Sequence, residues 1–212
     1  MKTPAHFGDD ITNQTNNTDA NANNMGAMMI CSRLAGRAII RVVGRCEDAQ
    51  ENNNLDLSEC QLMQVPDAVY HLMRHTELKT CDLSGNVITK IPPKFATNFN
   101  LITDLNLSHN QMAKLPDELV DLGNLERLDI SHNTFIALPN VVFKIPNLMR
   151  VYANHNHIAD VDTDKLRNAP SLREIDLRNN PLLPRAHGRL KQLTFPEIKI
   201  SEIEEEEWDL DV

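Results

Sequence analysis

Aromatic residues make up only 4% of this chain, with a single tryptophan and two tyrosines in 212 residues. So few rings argue against a core built around aromatic clusters. Seven glycines are scattered along the chain, none in a phosphate-cradling loop, and neither a nucleophile elbow nor a paired-cysteine metal knuckle occurs. Catalysis, a cofactor and a bound metal are therefore not expected. The four cysteines (Cys31, Cys46, Cys60, Cys81) all lie in the N-terminal half. They offer no disulfide framework, which predicts a reducing compartment, cytoplasmic with the nucleus as the alternative. A long uninterrupted apolar run is also missing. The apolar stretch 28–43 is broken by Arg33, Arg37 and Arg41, so an ordinary membrane span is not expected there, nor is the polar, Asn-rich start expected to be a signal peptide.

The formal net charge is -9, yet the excess is local. Residues 197–212 hold eight carboxylates against Lys199, so bulk charge does not choose a partner for the rest of the chain. A protein partner is expected rather than nucleic acid, with the chain itself a monomer.

What is present is a refrain of about 23 residues that starts at Leu55. It reads L-x-x-L-x-L-x-x-N-x-L-x-x-L-P-x-x-L, with Cys60 and then Asn86, Asn110, Asn133, Asn156 and Asn180 at the asparagine position. The alternating segments Leu55–Leu57, Cys81–Leu83, Leu105–Leu107, Leu128–Ile130, Val151–Ala153 and Ile175–Leu177 predict short strands with one buried face. Ile198 and Ile200 keep the register and predict a seventh strand within Phe195–Ser201. Each Asn is expected to turn the chain by bonding backbone groups, and each L-P-x-x-L element to return it through a short helical or 3₁₀ segment.

Before the repeats, Ile30, Leu34, Ala38, Val42 and Cys46 recur every four residues, as on one face of an amphipathic helix. Such a helix is expected to cover the first rung, because a solenoid exposes an apolar face at each end. The predicted organisation is a disordered tail over 1–24, a capping helix over 25–50, the repeats over 51–201 and an acidic tail over 202–212.

These residues resemble the intracellular leucine-rich repeat family, the class found in Scribble-type and Ras-pathway scaffold proteins. L-D-L-S-E-C-Q-L with Pro66, Tyr70 and Arg74, the N-N-P-L at Asn179–Leu182 and the late Ile198-Lys199-Ile200 resemble one small group within it. The resemblance implies an α/β leucine-rich repeat solenoid, with about six repeats plus a degenerate seventh strand behind an N-terminal helical cap. It also implies a binding module, an adaptor or scaffold in intracellular signal transduction rather than an enzyme, and it brings no catalytic residue with it.

In each nine-residue unit the third, fifth and seventh positions are expected to face outward from the concave sheet. The fifth holds Asp56, Asp82, Asn106, Asp129, Tyr152 and Asp176, which is either repeat consensus or an acidic strip for a basic partner. The third holds Asn54, Thr80, Asp104, Arg127, Arg150 and Glu174. Tyr152, flanked by Arg127, Arg150 and Arg178, is the expected interface anchor, since Tyr and Arg are enriched at hot spots; Asp104, Asp129 and Asp176 complete the patch. His109, His132 and His155 are read as solvated turn residues rather than a metal site. Arg33, Arg37, Arg41 and Arg45 form either a solvated helix face, an anionic-membrane contact or a dock for the acidic tail or an acidic partner, and a membrane-peripheral or structural protein using this helix is the alternative to a binding module. Ser201-Glu202-Ile203-Glu204 suits an acid-directed kinase, and Leu210-Asp211-Val212 resembles a PDZ ligand. The fifth repeat, with Val161-Asp162 where Leu-Pro or Ile-Pro is the rule, is a departure that points to function or strain.

Overall fold

The computed structural model describes residues 39–169 and 171–202. The expectations for residues 1–24 and 203–212, and that for the 25–38 part of the capping helix with Ile30, Arg33, Leu34, Arg37 and Ala38, fall outside them. Two units divide the chain, Met1–Ile40 and Arg41–Val212, and the architecture below is that of the second.

Seven three-residue strands form it: β1 (Asn54–Asp56), β2 (Thr80–Asp82), β3 (Asp104–Asn106), β4 (Arg127–Asp129), β5 (Arg150–Tyr152), β6 (Glu174–Asp176) and β7 (Glu197–Lys199). They make one parallel sheet in sequence order. The register aligns Leu55, Cys81, Leu105, Leu128, Val151, Ile175 and Ile198 in one column. Their side chains alternate with the outward residues on either side, as strand geometry requires. From Leu55 to Ile175 this column is at most 2% exposed, so the repeated leucine is the core of the protein, laid down one rung at a time. The seventh strand, read from Ile198 and Ile200, is present in the same register.

Each rung returns through a short helical piece. These are α2 (Asp67–Leu72), α3 (Lys94–Asn98), the 3₁₀ segments Asp117–Asp121 and Asn140–Phe143, α4 (Thr163–Asn168) and α5 (Pro184–Lys191). Pro66, Pro93, Pro116 and Pro139 sit immediately before the first four. There the fixed proline φ is compatible with entry into a helix and its missing N–H costs nothing. The fifth repeat starts its helix by another device. The Asp162 carboxylate accepts from Asp164 N and Lys165 N, each at 3.1 Å, an N-cap in place of the proline. That departure from the repeat has a local structural cause.

The asparagines stitch rungs together. Asn133 Nδ2 donates to Ile130 O and Ser131 O in its own turn and to Leu107 O in the preceding rung, while its Oδ1 accepts from Met112 N. Asn86, Asn110, Asn156 and Asn180 repeat the arrangement. Asn133 is 6% exposed, and an unpaired buried amide would cost about 1–3 kcal/mol. The residue before each Asn or Cys60 adopts a left-handed backbone: Glu59, Gly85, His109, His132, His155 and Asn179, with φ from 51° to 65°. This bend aims the N–H of His109, His132 and His155 at the next rung's carbonyls, Ser131 O, Asn154 O and Arg178 O.

At the N-terminal end, helix α1 over 39–52 lays Val42, Cys46 and Ala49 into the core, at 5%, 0% and 0% exposure. Cys46, Cys60 and Cys81 are buried free thiols, and burial pushes the Cys46 thiol up to about 11.

Candidate interaction surface

The outward residues of β3, β4 and β5 converge. Register places Arg127 between Asp104 and Arg150, and Asp129 beside Tyr152. The Arg127 guanidinium reaches Asp104 Oδ1 and Oδ2 at 3.2 and 3.0 Å and lies 3.6 Å from Asp129 Oδ2. Its central carbon sits 4.9 Å from the centroid of the Tyr152 ring, a cation–π contact. Burial works against the charged form of Arg127, but Asp104, Tyr152 and Asp129 outweigh it and hold its pKa above the usual guanidinium value. The half-buried Tyr152 ring thus rests against a cation that two carboxylates clamp. Arg150 projects from the same strand, exposed and without an ion pair among the described residues.

The remaining expected members behave differently. Asp176 is 2% exposed. It is surrounded by its own neighbour, accepting from Arg178 N, Nε and the terminal guanidinium nitrogen. Asp176 is therefore enclosed, and Arg178 is paired with it one rung from Tyr152. Burial alone would raise the Asp176 pKa, yet the bonds from Arg178 and its charge leave it below the usual carboxylate value. One rung further, Lys199 is paired with Glu174.

The fifth-position acids have a role that the strip reading missed. Oδ1 of Asp56, Asp82, Asn106, Asp129 and Asp176 accepts the N–H two residues on, at 2.8–3.0 Å. Each closes an Asx turn where the strand ends. The L-D-L-S spacing of an Asx residue two before a turn was the available signal. Seventh-position Ser108 and Ser131 are consequently drawn in, at 7% and 6% exposure, instead of facing outward.

The histidine rings stack face to face, His109 on His132 and His132 on His155, with centroids 4.0 Å apart. Parallel planes do not converge on one point, and no group of three potential ligands among the described residues could hold a metal ion. His132 is half-buried rather than fully solvated. Burial and the two neighbouring rings lower its pKa. The arginines of α1 also have internal partners. Arg45 donates to Asp56 O and Ser58 O and pairs with the Asp56 carboxylate, while Arg41 donates to Glu59 O. Those two residues thus bind carbonyls beside β1, and Arg41 stays exposed while it does so. No described helix is long and apolar enough to cross a membrane.

A leucine rich repeat family model matches residues 76–135. Leucine-rich repeat-containing protein 20 of Mus musculus is 45% identical over 154 residues, which cover 71% of this chain and 84% of that protein. The chain belongs to the leucine-rich repeat family. The human protein of the same name is 33% identical over 95 residues, 43% of this chain and 52% of its own length. Among solved structures, a leucine-rich repeat protein of Leptospira interrogans superposes with a TM-score of 0.55 at 29% identity, covering 67% of this chain. The present chain spans 35% of that larger protein. As a class, leucine-rich repeat proteins are protein-interaction modules and typically not enzymes, and an open face carrying an aromatic residue beside an exposed arginine is in keeping with that role.

Proposed function

We propose that the chain is a non-enzymatic adaptor of the cytoplasm that serves in intracellular signalling and takes a protein partner on the concave sheet around Arg150 and Tyr152. The observation that carries this reading is the contrast within one strand. Tyr152 is held in place by Arg127, whereas Arg150 beside it is exposed and makes no ion pair among the described residues. A fixed aromatic ring loses little freedom on binding, and an uncommitted guanidinium presents its donors to a carboxylate. Tyr and Arg are enriched among the few residues that carry most of the energy at protein interfaces. The seven strands, about 4.8 Å apart, span roughly 30 Å, enough for a partner footprint of about 800 Å².

Photo-crosslinking tests the reading, with a photoreactive residue at position 106 on the concave face. Specific adducts should form in cells, and they should fall about tenfold in Arg150→Glu or Tyr152→Ala, which corresponds to roughly 1.4 kcal/mol of binding. Lys94→Glu, on a return helix, should leave them unchanged. Adducts indifferent to both concave substitutions would sink the assignment.

A further inference from the structure

Among the described residues β7 is the open edge of the sheet, with β6 as its neighbour on one side. Glu197 N–H donates to Arg173 O and Lys199 O accepts from Leu177 N–H. The intervening Ile198 therefore directs its N–H and C=O away from β6, as alternation along a strand demands. Ile198 is also the half-buried member of its column, while its register partners from Leu55 to Ile175 are at most 2% exposed. Beside this edge lies a groove of about 590 Å³ that includes Leu190, Leu193, Ile198 and Ile200, with Arg178 and Lys191 among its cationic residues. It presents apolar surface, basic groups and unpaired backbone, the requirements of an extended, acidic, alternating segment.

The chain carries such a segment immediately downstream. Asp209-Leu210-Asp211-Val212 repeats the pattern of Glu174-Ile175-Asp176-Leu177 and of Glu197-Ile198-Lys199-Ile200, and Trp208 extends the alternation. We propose that segment 209–212 docks on the free edge of β7 as an eighth strand, Leu210 and Val212 facing the groove and Asp209 and Asp211 on the concave side. The connection over 201–208 reaches about 26 Å at roughly 3.3 Å per residue, ample for an adjacent strand. It is shorter than the dozen or so residues a parallel crossover needs, so the added strand runs antiparallel to β7. Glu204–Glu207 lie within the connection, where water solvates them.

Trp208 is the only tryptophan and reports on this directly. In the full chain its emission should be blue-shifted from that of the urea-unfolded protein, and acrylamide should quench it several-fold less. In Leu210→Asp/Val212→Asp both differences should vanish, and the Ile198 amide should exchange about tenfold faster while the Leu128 amide keeps its protection. Equal quenching in folded and unfolded chains, or unchanged Ile198 exchange in the double variant, overturns the proposal. Protection that disappears on dilution also overturns it, because the strand would then come from a second copy.

Discussion

At the first rung Leu55 and Leu57 are 1% and 0% exposed, covered by Val42, Cys46 and Ala49 of α1. At the last rung the corresponding Ile198 and Ile200 remain half-buried. The backbone edges differ in the same sense. Arg45 and Arg41 occupy carbonyls of Asp56, Ser58 and Glu59 beside β1. Around β7 the closure is partial: Ser201 Oγ accepts from Asn179 N, and the His187 ring meets Ser201 O at 2.9 Å. The same repeated strand is thus core at one end and surface at the other. Since each repeat buries its leucines only against its neighbours, burial depends on what flanks a rung rather than on the rung's own residues.

The sharpest way to break this comparison is a charge at each end. Ala49→Asp places an unpaired carboxylate in the sealed end and should cost about 3–4 kcal/mol, whereas Ile198→Asp at the half-open end should cost about 1–2 kcal/mol. Urea denaturation followed by circular dichroism measures both, and equal losses would mean that the two ends are equally closed.

A smaller effect separates interior from terminal turns. Asn133→Ala leaves Met112 N and three carbonyls without their partner and should destabilise by about 2–3 kcal/mol; Asn180→Ala, half-buried near the last rung, should cost about 1 kcal/mol. Thermal melting distinguishes them, and the reverse order would contradict the ladder's dependence on burial.

The smallest difference is in acid. Burial works against ionised Asp56 and Asp176 alike, but bonds from Ser58 and Arg178, with the charges of Arg45 and Arg178, leave both pKa values depressed. A depressed carboxylate contributes stability that is present above its unfolded value of about 3.9 and is lost as pH falls below it through the folded value. The Asp176 side chain is 3% exposed against 63% for Asp56. Asp176→Asn should therefore flatten the acid limb of a stability–pH profile more than Asp56→Asn. A larger flattening from Asp56→Asn would show that screening does not rank the two ends.

The strands and the core column were legible because Leu105, Leu128 and Ile175 recur at a period near that of one turn of the solenoid, and even Ile198 kept the register behind an irregular loop. The candidate patch was legible in part. Arg127, Tyr152, Asp104 and Asp129 are neighbours once the strands are aligned, so counting positions brought them together. Counting did not show that Asp176 is enclosed by Arg178, that Asp56, Asp82 and Asp129 serve their own turns, or that Asp162 substitutes for a proline. Each of those depends on a side-chain direction, and spacing alone leaves that open.

By itself the sequence determined the period, the identity of the inward residues and the order of the rungs, because apolar burial and the needs of a buried amide repeat with the chain. Only the tertiary structure decided which polar residues are free. Arg41, Arg45 and Arg178 found carbonyls or a carboxylate within reach, and among the described residues Arg150 on the concave face did not. A charge becomes available to a partner when no internal acceptor satisfies it, and that depends on distances across rungs rather than on position along the chain.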